Sequence, residues 1–361
     1  MTVHPATISS NPAYAERHFG TRFQLIALGT AATAIALLGF QTMARWGDVL
    51  DIAAGYGFGI LTVVVIWLMT QFIWVRLQLK RHSSEIASAD PMDWYKAYLA
   101  NIRWGDIASA LIALIATTSC FSVYKATAVG ASGYGFDAVF IAWDRAIFGG
   151  NDPWVYSHAM LSSPYATKVI DILYHPAFLP MVLGYAVCAA AQARPALRYT
   201  YMVSYLVSFV IVGMMMANAL HSAGPVYDGA LFGDGTTFAP LIERLSAQNE
   251  AAGPFSSAFA QEYLLVLNEQ GVAGLGGGIS AMPSMHIILA FLWTFAGWHL
   301  NRVLGVVLTI YAAVIWMGSV HLGWHYFVDG LVGLAVLGAI WLTAGQIFGL
   351  YGSRQVMRAT T

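Results

Sequence analysis

Charge is what this chain has least of. Asp, Glu, Lys and Arg together make up 10% of its 361 residues, while apolar residues make up 58%. A soluble domain carries roughly 25% charged residues, so this surface is built for lipid rather than water. Neither sign dominates: the net charge is −1, which excludes a bulk basic field and with it a nucleic-acid partner. Cysteine is nearly absent. Cys120 and Cys188 fall in apolar runs and make no metal pattern, and they are expected near opposite membrane faces, too far apart for a disulfide. Residues 1–21 lack the grammar of a signal peptide, so the first apolar stretch is expected to be an uncleaved anchor. No internal repeat, low-complexity tract or soluble domain stands out.

What is present is a succession of long apolar segments. With about 20 helical residues needed to cross a bilayer, eight qualify: roughly 23–42, 54–75, 107–124, 168–191, 198–220, 284–300, 302–320 and 327–350. The expected fold is therefore all-α, a polytopic membrane bundle of about eight transmembrane helices. Residues 1–124 would hold a cytoplasmic segment and three spans, 125–350 a catalytic membrane core, and 351–361 a cytoplasmic tail. Residues 125–166 read as an interfacial helix followed by a turn at Gly149-Gly150-Asn151-Asp152-Pro153, and the long loop 221–283 as containing a helix around 257–270. With the N-terminus inside, twelve Lys and Arg fall on the inner side and five (Arg45, Lys125, Arg145, Lys168 and Arg244) on the outer. That bias predicts both termini in the cytoplasm, and loop 221–283 on the periplasmic, lumenal or exterior face.

Ionisable residues at membrane depth are costly and point to function. Here they gather at one level. The fifth span ends at Asn218, His221 and Gly224-Pro225, the sixth begins Pro283-Ser284-Met285-His286, and the last junction reads His321-Leu322-Gly323-Trp324-His325-Tyr326-Phe327-Val328-Asp329. Eight spans put all three on the outer face. His325 and Asp329, four apart, would stack on one helical face if the last helix begins near Trp324. The carboxylate would then hold the imidazole in one tautomer while its other nitrogen attacks. Pro283 and Ser284 suit a helix start whose free amides favour an anion, with His286 one turn in and placed to protonate a leaving oxygen. Asp171, Tyr174 and His175, at i, i+3 and i+4, are expected on one face near this site, as a substrate contact or as an interhelical bond. His221 and His321 sit at the same level. Three histidines could bind zinc, but no carboxylate-rich partner supports it, so no metal or cofactor is expected.

These strings resemble a known family. Pro283-Ser284-Met285-His286 and the His-x-x-x-Asp of His325–Asp329 are similar to motifs of the type-2 phosphatidic acid phosphatase (lipid phosphate phosphatase) superfamily. Ala281-Met282-Pro283-Ser284-Met285-His286, His325-Tyr326-Phe327-Val328-Asp329-Gly330 and Ser222-Ala223-Gly224-Pro225-Val226-Tyr227 are closer to its inositol phosphorylceramide synthase-like branch, in sphingolipid metabolism. The resemblance covers about residues 130–345. It implies that His325 attacks phosphorus and forms a phosphohistidine, that Asp329 orients it, and that His286 protonates the departing alcohol. Ser284, His221, Gly224, Pro225, Tyr227, His321, Asp171 and His175 would line the substrate site.

The chain also departs from the phosphatase pattern. Aligned on Pro225, the first motif's Lys falls on Ala217 and its Arg on Gly224. The last motif's Arg falls on Ser319, and Met285 replaces Gly. Without these cations a phosphate monoester dianion loses its clamp, whereas a singly charged phosphodiester needs less. The expectation is transfer of a phospho-alcohol head group from a phospholipid donor to a lipid-alcohol acceptor, with Arg145, Lys168 or Arg244 as substitute clamps. The alternatives are a lipid phosphate or polyprenyl pyrophosphate phosphatase and, from another class, a transporter or a catalytically silent scaffold. The sequence does not determine the oligomeric state.

Overall fold

The structure, a computed structural model, describes residues 12–41, 45–81, 91–100, 102 and 104–351. Among them there is no strand, and the chain is an integral membrane protein of the all-α class. Helices α1 (Pro12–Gln41), α2 (Trp46–Arg81), α3 (Pro91–Ala100) and α4 (Trp104–Tyr124) are followed by a π-helical turn, Lys125–Val129. Then come α5 (Asp137–Ile147), α6 (Pro153–Met160), α7 (Pro164–Tyr174), α8 (Phe178–Ala190) and α9 (Pro195–Ser208). A π-helical stretch and one short turn carry α9 on to Ala219. Helices α10 (Ala239–Ala252), α11 (Ser256–Gln270), α12 (Met285–Leu300), α13 (Arg302–His321) and α14 (Phe327–Ile347) complete the bundle.

Among the described residues, six helices are long and apolar enough to cross a membrane: those within Phe19–Gly39, Trp46–Trp74, Trp104–Val129, Pro195–Ala219, Arg302–His321 and Phe327–Ile347. The expected sixth span is α12, with 16 residues. At 1.5 Å per residue it is about 24 Å long, short of a ~30 Å hydrocarbon core. The expected fourth span is not continuous. Helix α7 stops at Tyr174, and the 13-residue α8 starts at Phe178. Pro176 explains the break, since it lacks the N–H a continuing helix needs and disfavours helical geometry at His175.

The outward faces are apolar. Phe58 is 75% exposed on α2 and Val303 74% on α13, as lipid contact requires. Helix α5 is inverted relative to a soluble amphipathic helix: Val139, Trp143 and Ile147 face outward, while Asp137 and Asp144 are buried. The region expected to be interfacial is therefore two short helices, α5 and α6, joined by the glycine turn. The long loop contains α10 as well as the expected α11. At the opposite end of the bundle Tyr199 donates to Asp106 (2.8 Å) and Arg198 lies 3.7 Å from it, tying the start of α9 to the start of α4. Helices α12, α13 and α14 pack together, with α9 against α14 and α4. This brings the ends of α4, α9 and α13 and the starts of α12 and α14 to one end.

Candidate active site

Three loops meet there, and Ala281 is their junction. Its N–H donates to the Ser222 carbonyl (2.9 Å), the Met282 N–H donates to Ser222 Oγ (3.1 Å), and its own carbonyl accepts from His325 Nδ1 (2.8 Å). His325 Nδ1 also lies 3.0 Å from Asp329 Oδ2. A carbonyl can only accept, so the proton sits on Nδ1 and Nε2 keeps its lone pair. Among the described residues nothing hydrogen-bonds to Nε2. Burial first, and the charge of Lys125 second, push the His325 imidazole down to about 3, while the Ala281 carbonyl pulls the other way. At neutral pH the ring is uncharged, as a nucleophile must be.

The contact with Asp329 arises differently from the sequence expectation. The last helix begins at Phe327, so His325 lies before it rather than one turn below Asp329. Asp329, in the first turn, reaches back to accept from the Tyr326 N–H (3.1 Å) and from His325. It therefore closes the helix start and orients the imidazole at once.

Ser284 caps α12, its Oγ accepting from the Ile287 N–H (3.4 Å). The N–H groups of Met285 and His286 donate to no acceptor among the described residues. The His286 ring is stacked on Tyr174 (centroids 4.7 Å apart, 15° between planes) and leans on Phe178 at 4.7 Å. His175 is 6.0 Å from it and 5.2 Å from Trp324, the residue before His325. His286 and the residue preceding His325 thus both adjoin His175, at one end of the bundle.

Several expected substrate contacts are engaged elsewhere. Asp171 accepts from the Ser256 N–H (2.8 Å), the Ser257 N–H (2.7 Å) and Ser257 Oγ (2.6 Å), which holds the start of α11. His221 accepts from the Gly135 N–H (2.8 Å) and meets Phe136 edge-on, pinning the turn before α5. His321 is completely buried; its ring nitrogens meet Thr167 Oγ1 (2.8 Å) and Ser157 Oγ (3.1 Å). Interior bonds engage all three, which for Asp171 is the interhelical bond that was one of its two expected roles. His175, at the end of α7, touches Ser257 Oγ (3.1 Å) and lies beside both His286 and Trp324. Pro225 opens a 3-10 turn, Pro225–Tyr227, and the Tyr227 hydroxyl donates to the Gln261 carbonyl (3.2 Å).

Gly224 explains one missing cation. Its φ is +99°, and a Cβ there would lie 2.5 Å from the Trp324 carbonyl oxygen. No side chain fits, so an arginine at this position is excluded by the close approach of the 224 and 324 backbones. Two residues that sequence reasoning passed over hold this arrangement. Asp137 accepts from the Ala223 and Gly224 N–H groups and from the Tyr326 hydroxyl (2.7 Å), joining two of the loops. Asp144 accepts from the Phe327 (2.8 Å) and Val328 (3.0 Å) N–H groups at the start of α14. Burial pushes Asp144 up to about 7 against those two amides, and raises Asp137 likewise. Their signal was available: two acids seven residues apart lie on the same side of an otherwise apolar helix.

The profile of the PAP2 superfamily matches residues 138–343, more than half of the chain, from the second residue of α5 to within four residues of the end of α14. The chain belongs to the PAP2 superfamily. No curated protein and no solved structure matches it. Membership in the superfamily carries a lipid phosphatase or phosphotransferase type of activity on lipid phosphate substrates within a membrane.

Proposed function

We propose that this PAP2 protein transfers a phospho-alcohol head group from a phosphodiester lipid to a lipid alcohol, as an inositol phosphorylceramide synthase-like enzyme would. His325 Nε2 attacks phosphorus, forming an N–P bond as the bond to the departing lipid alcohol breaks. His286 gives that oxygen its proton. The acceptor hydroxyl then returns a proton to His286 and attacks phosphorus, and the N–P bond breaks. Asp329 holds His325 by Nδ1 and stabilises the charge it develops. The observation that carries this reading is the fixed tautomer: a carbonyl and a carboxylate both face Nδ1, leaving Nε2 without a partner among the described residues. The absence of the pattern's cations at Ala217, Gly224 and Ser319 favours a singly charged diester over a dianionic monoester. The bias of Lys and Arg supports cytoplasmic termini and a site on the opposite face, within a core spanning 125–350.

One feature favours a second reading, hydrolysis. A cavity of about 10 Å³ is lined by Asp144, Asp152, Trp154, His325 and Tyr326, among others, and its size suits a single water. Purified full-length protein in lipid, given labelled phosphatidylinositol and a ceramide or diacylglycerol acceptor, separates the two. Label moving to the acceptor, and lost with His325→Ala, supports transfer. Water-soluble phosphate products alone support hydrolysis. Turnover equal in wild type and His325→Ala rejects both.

A further inference from the structure

We propose that Lys125, on the π-helical turn ending α4, is the phosphate-binding cation of this site, and that a single cation there selects a phosphodiester head group. The inference rests on the transferase reading for its substrate class but not for the existence of the anion site.

The outer cations other than Lys125 are already engaged. Arg45 pairs with Asp48 at 2.8 Å, and Arg145 grips Asp152 through two bonds of 2.7 and 3.0 Å. Lys168 donates to the Pro254 carbonyl and sits 3.7 Å from Asp171, and Arg244 donates to His158 Nδ1 at 2.9 Å. Lys125 is half-buried and, among the described residues, makes no hydrogen bond or ion pair. Its ammonium lies 5.9 Å from the centre of the Phe121 ring. A half-buried cation with no anionic partner weakens the fold unless a ligand supplies the missing charge.

Its place fits that ligand. The turn Lys125–Val129 packs against Ala217–Ala219, where the phosphatase pattern puts its lysine. The cation has moved from one helix end to the neighbouring one. The loop leading to the nucleophile's junction lies on the same turn: a Cβ on Gly278 would come within 2.6 Å of the Lys125 carbonyl carbon. Phe121, beside the ammonium, and Met285 at the start of α12 flank one glycine: a Cβ on Gly213 would lie 2.7 Å from the first and 3.6 Å from the second, and the charge of Lys125 is among the influences that lower His325. The free amides of Met285 and His286 and the buried Tyr174 hydroxyl, which has no partner among the described residues, supply uncharged donors nearby. One positive charge balances one diester charge. A monoester dianion would leave an extra negative charge in a wall of Tyr174, Phe178 and Phe121.

The test is calorimetric titration of the detergent-solubilised full chain with dioctanoyl phosphatidylinositol and dioctanoyl phosphatidic acid. Wild type should bind the diester more tightly than the monoester. Lys125→Gln should weaken diester binding at least about tenfold, while Lys125→Arg stays within about threefold. The Lys125→Gln melting temperature should hold or rise, because an unpaired cation has been removed. Diester binding by Lys125→Gln equal to wild type, a preference for the monoester, or no binding by wild type would overturn the proposal. Wild-type binding that Lys125→Gln loses, with no transfer by either protein, would sustain the anion site and reject the transferase reading.

Discussion

Two pairs of histidines lie in this end of the bundle, and they are built in opposite ways. His158 and His321 stack face to face at 3.7 Å. His158 accepts from Arg244 (2.9 Å) and donates to the His321 carbonyl (2.8 Å), while both His321 nitrogens face hydroxyls. Every ring nitrogen of that pair has a partner. His286 and His325 have open positions: among the described residues, His325 Nε2 and both nitrogens of His286 make no hydrogen bond. Residue type is the same for both pairs. What separates a packing histidine from a reactive one is whether its second nitrogen is already satisfied.

Substitutions break this contrast in a definite order. His325→Ala should lower kcat by on the order of 10⁴-fold or more, since it removes the attacking atom; single-turnover transfer of labelled head group measures it. Asp329→Asn should cost about 10²–10⁴-fold in kcat with little change in KM, because the imidazolium formed on attack loses its counter-charge while the Ala281 carbonyl still holds the tautomer. His286→Gln should cost about 10²–10³-fold, with substrates bearing a better leaving group than an alkoxide losing least. Arg244→Ala should leave kcat within a few-fold of wild type. It should lower stability by about 1–3 kcal/mol, because a buried His158 nitrogen loses its donor; thermal unfolding in detergent reads this. If Arg244→Ala instead abolished transfer with an unchanged melting point, the contrast between the pairs would be wrong.

The smallest effect concerns pH. His325 stays neutral down to about 3, so phosphoenzyme formation should show no acid limb from it between pH 5 and 8. Lys125→Gln removes one of the two influences that lower His325, so the limb should move to higher pH. The stability effect has a fixed sign. The folded value lies below the unfolded one of about 6.5, so the unfolded chain binds the extra proton. Stability is full above about 6.5 and falls as the pH drops toward 3. Single-turnover measurements after a rapid pH change separate this loss from chemistry.

Much of this was legible in the sequence because the relevant signals are local. Long apolar runs give membrane helices by composition alone, and Pro-Ser-x-His and His-x-x-x-Asp carry their chemistry in spacing. The fourth span was overread because hydropathy does not register the helix break that Pro176 imposes. His325 and Asp329 meet, but through a carboxylate reaching back over a helix start at Phe327, three residues later than the Trp324 start that stacking the two on one face requires. Lys125 could not be assigned in advance, and the seven-residue spacing that marks Asp137 and Asp144 does not name their partners. Each acts on a segment about 85 to 200 residues away, and only the folded chain brings them together. Gly224 teaches the same point: the sequence shows that an arginine is missing, and the packing of its backbone under Trp324 shows why none can be there.

The central claim is that His325 carries the phosphoryl group, and trapping it is the most direct measurement. Full-length protein in lipid is mixed with donor labelled in the head group, without acceptor, then quenched under alkali and digested for mass spectrometry. The expected result is an acid-labile, alkali-stable adduct on His325 that disappears when acceptor is added and never forms with His325→Ala. Turnover at the wild-type rate with no adduct on His325, or with the label on another residue, would contradict it.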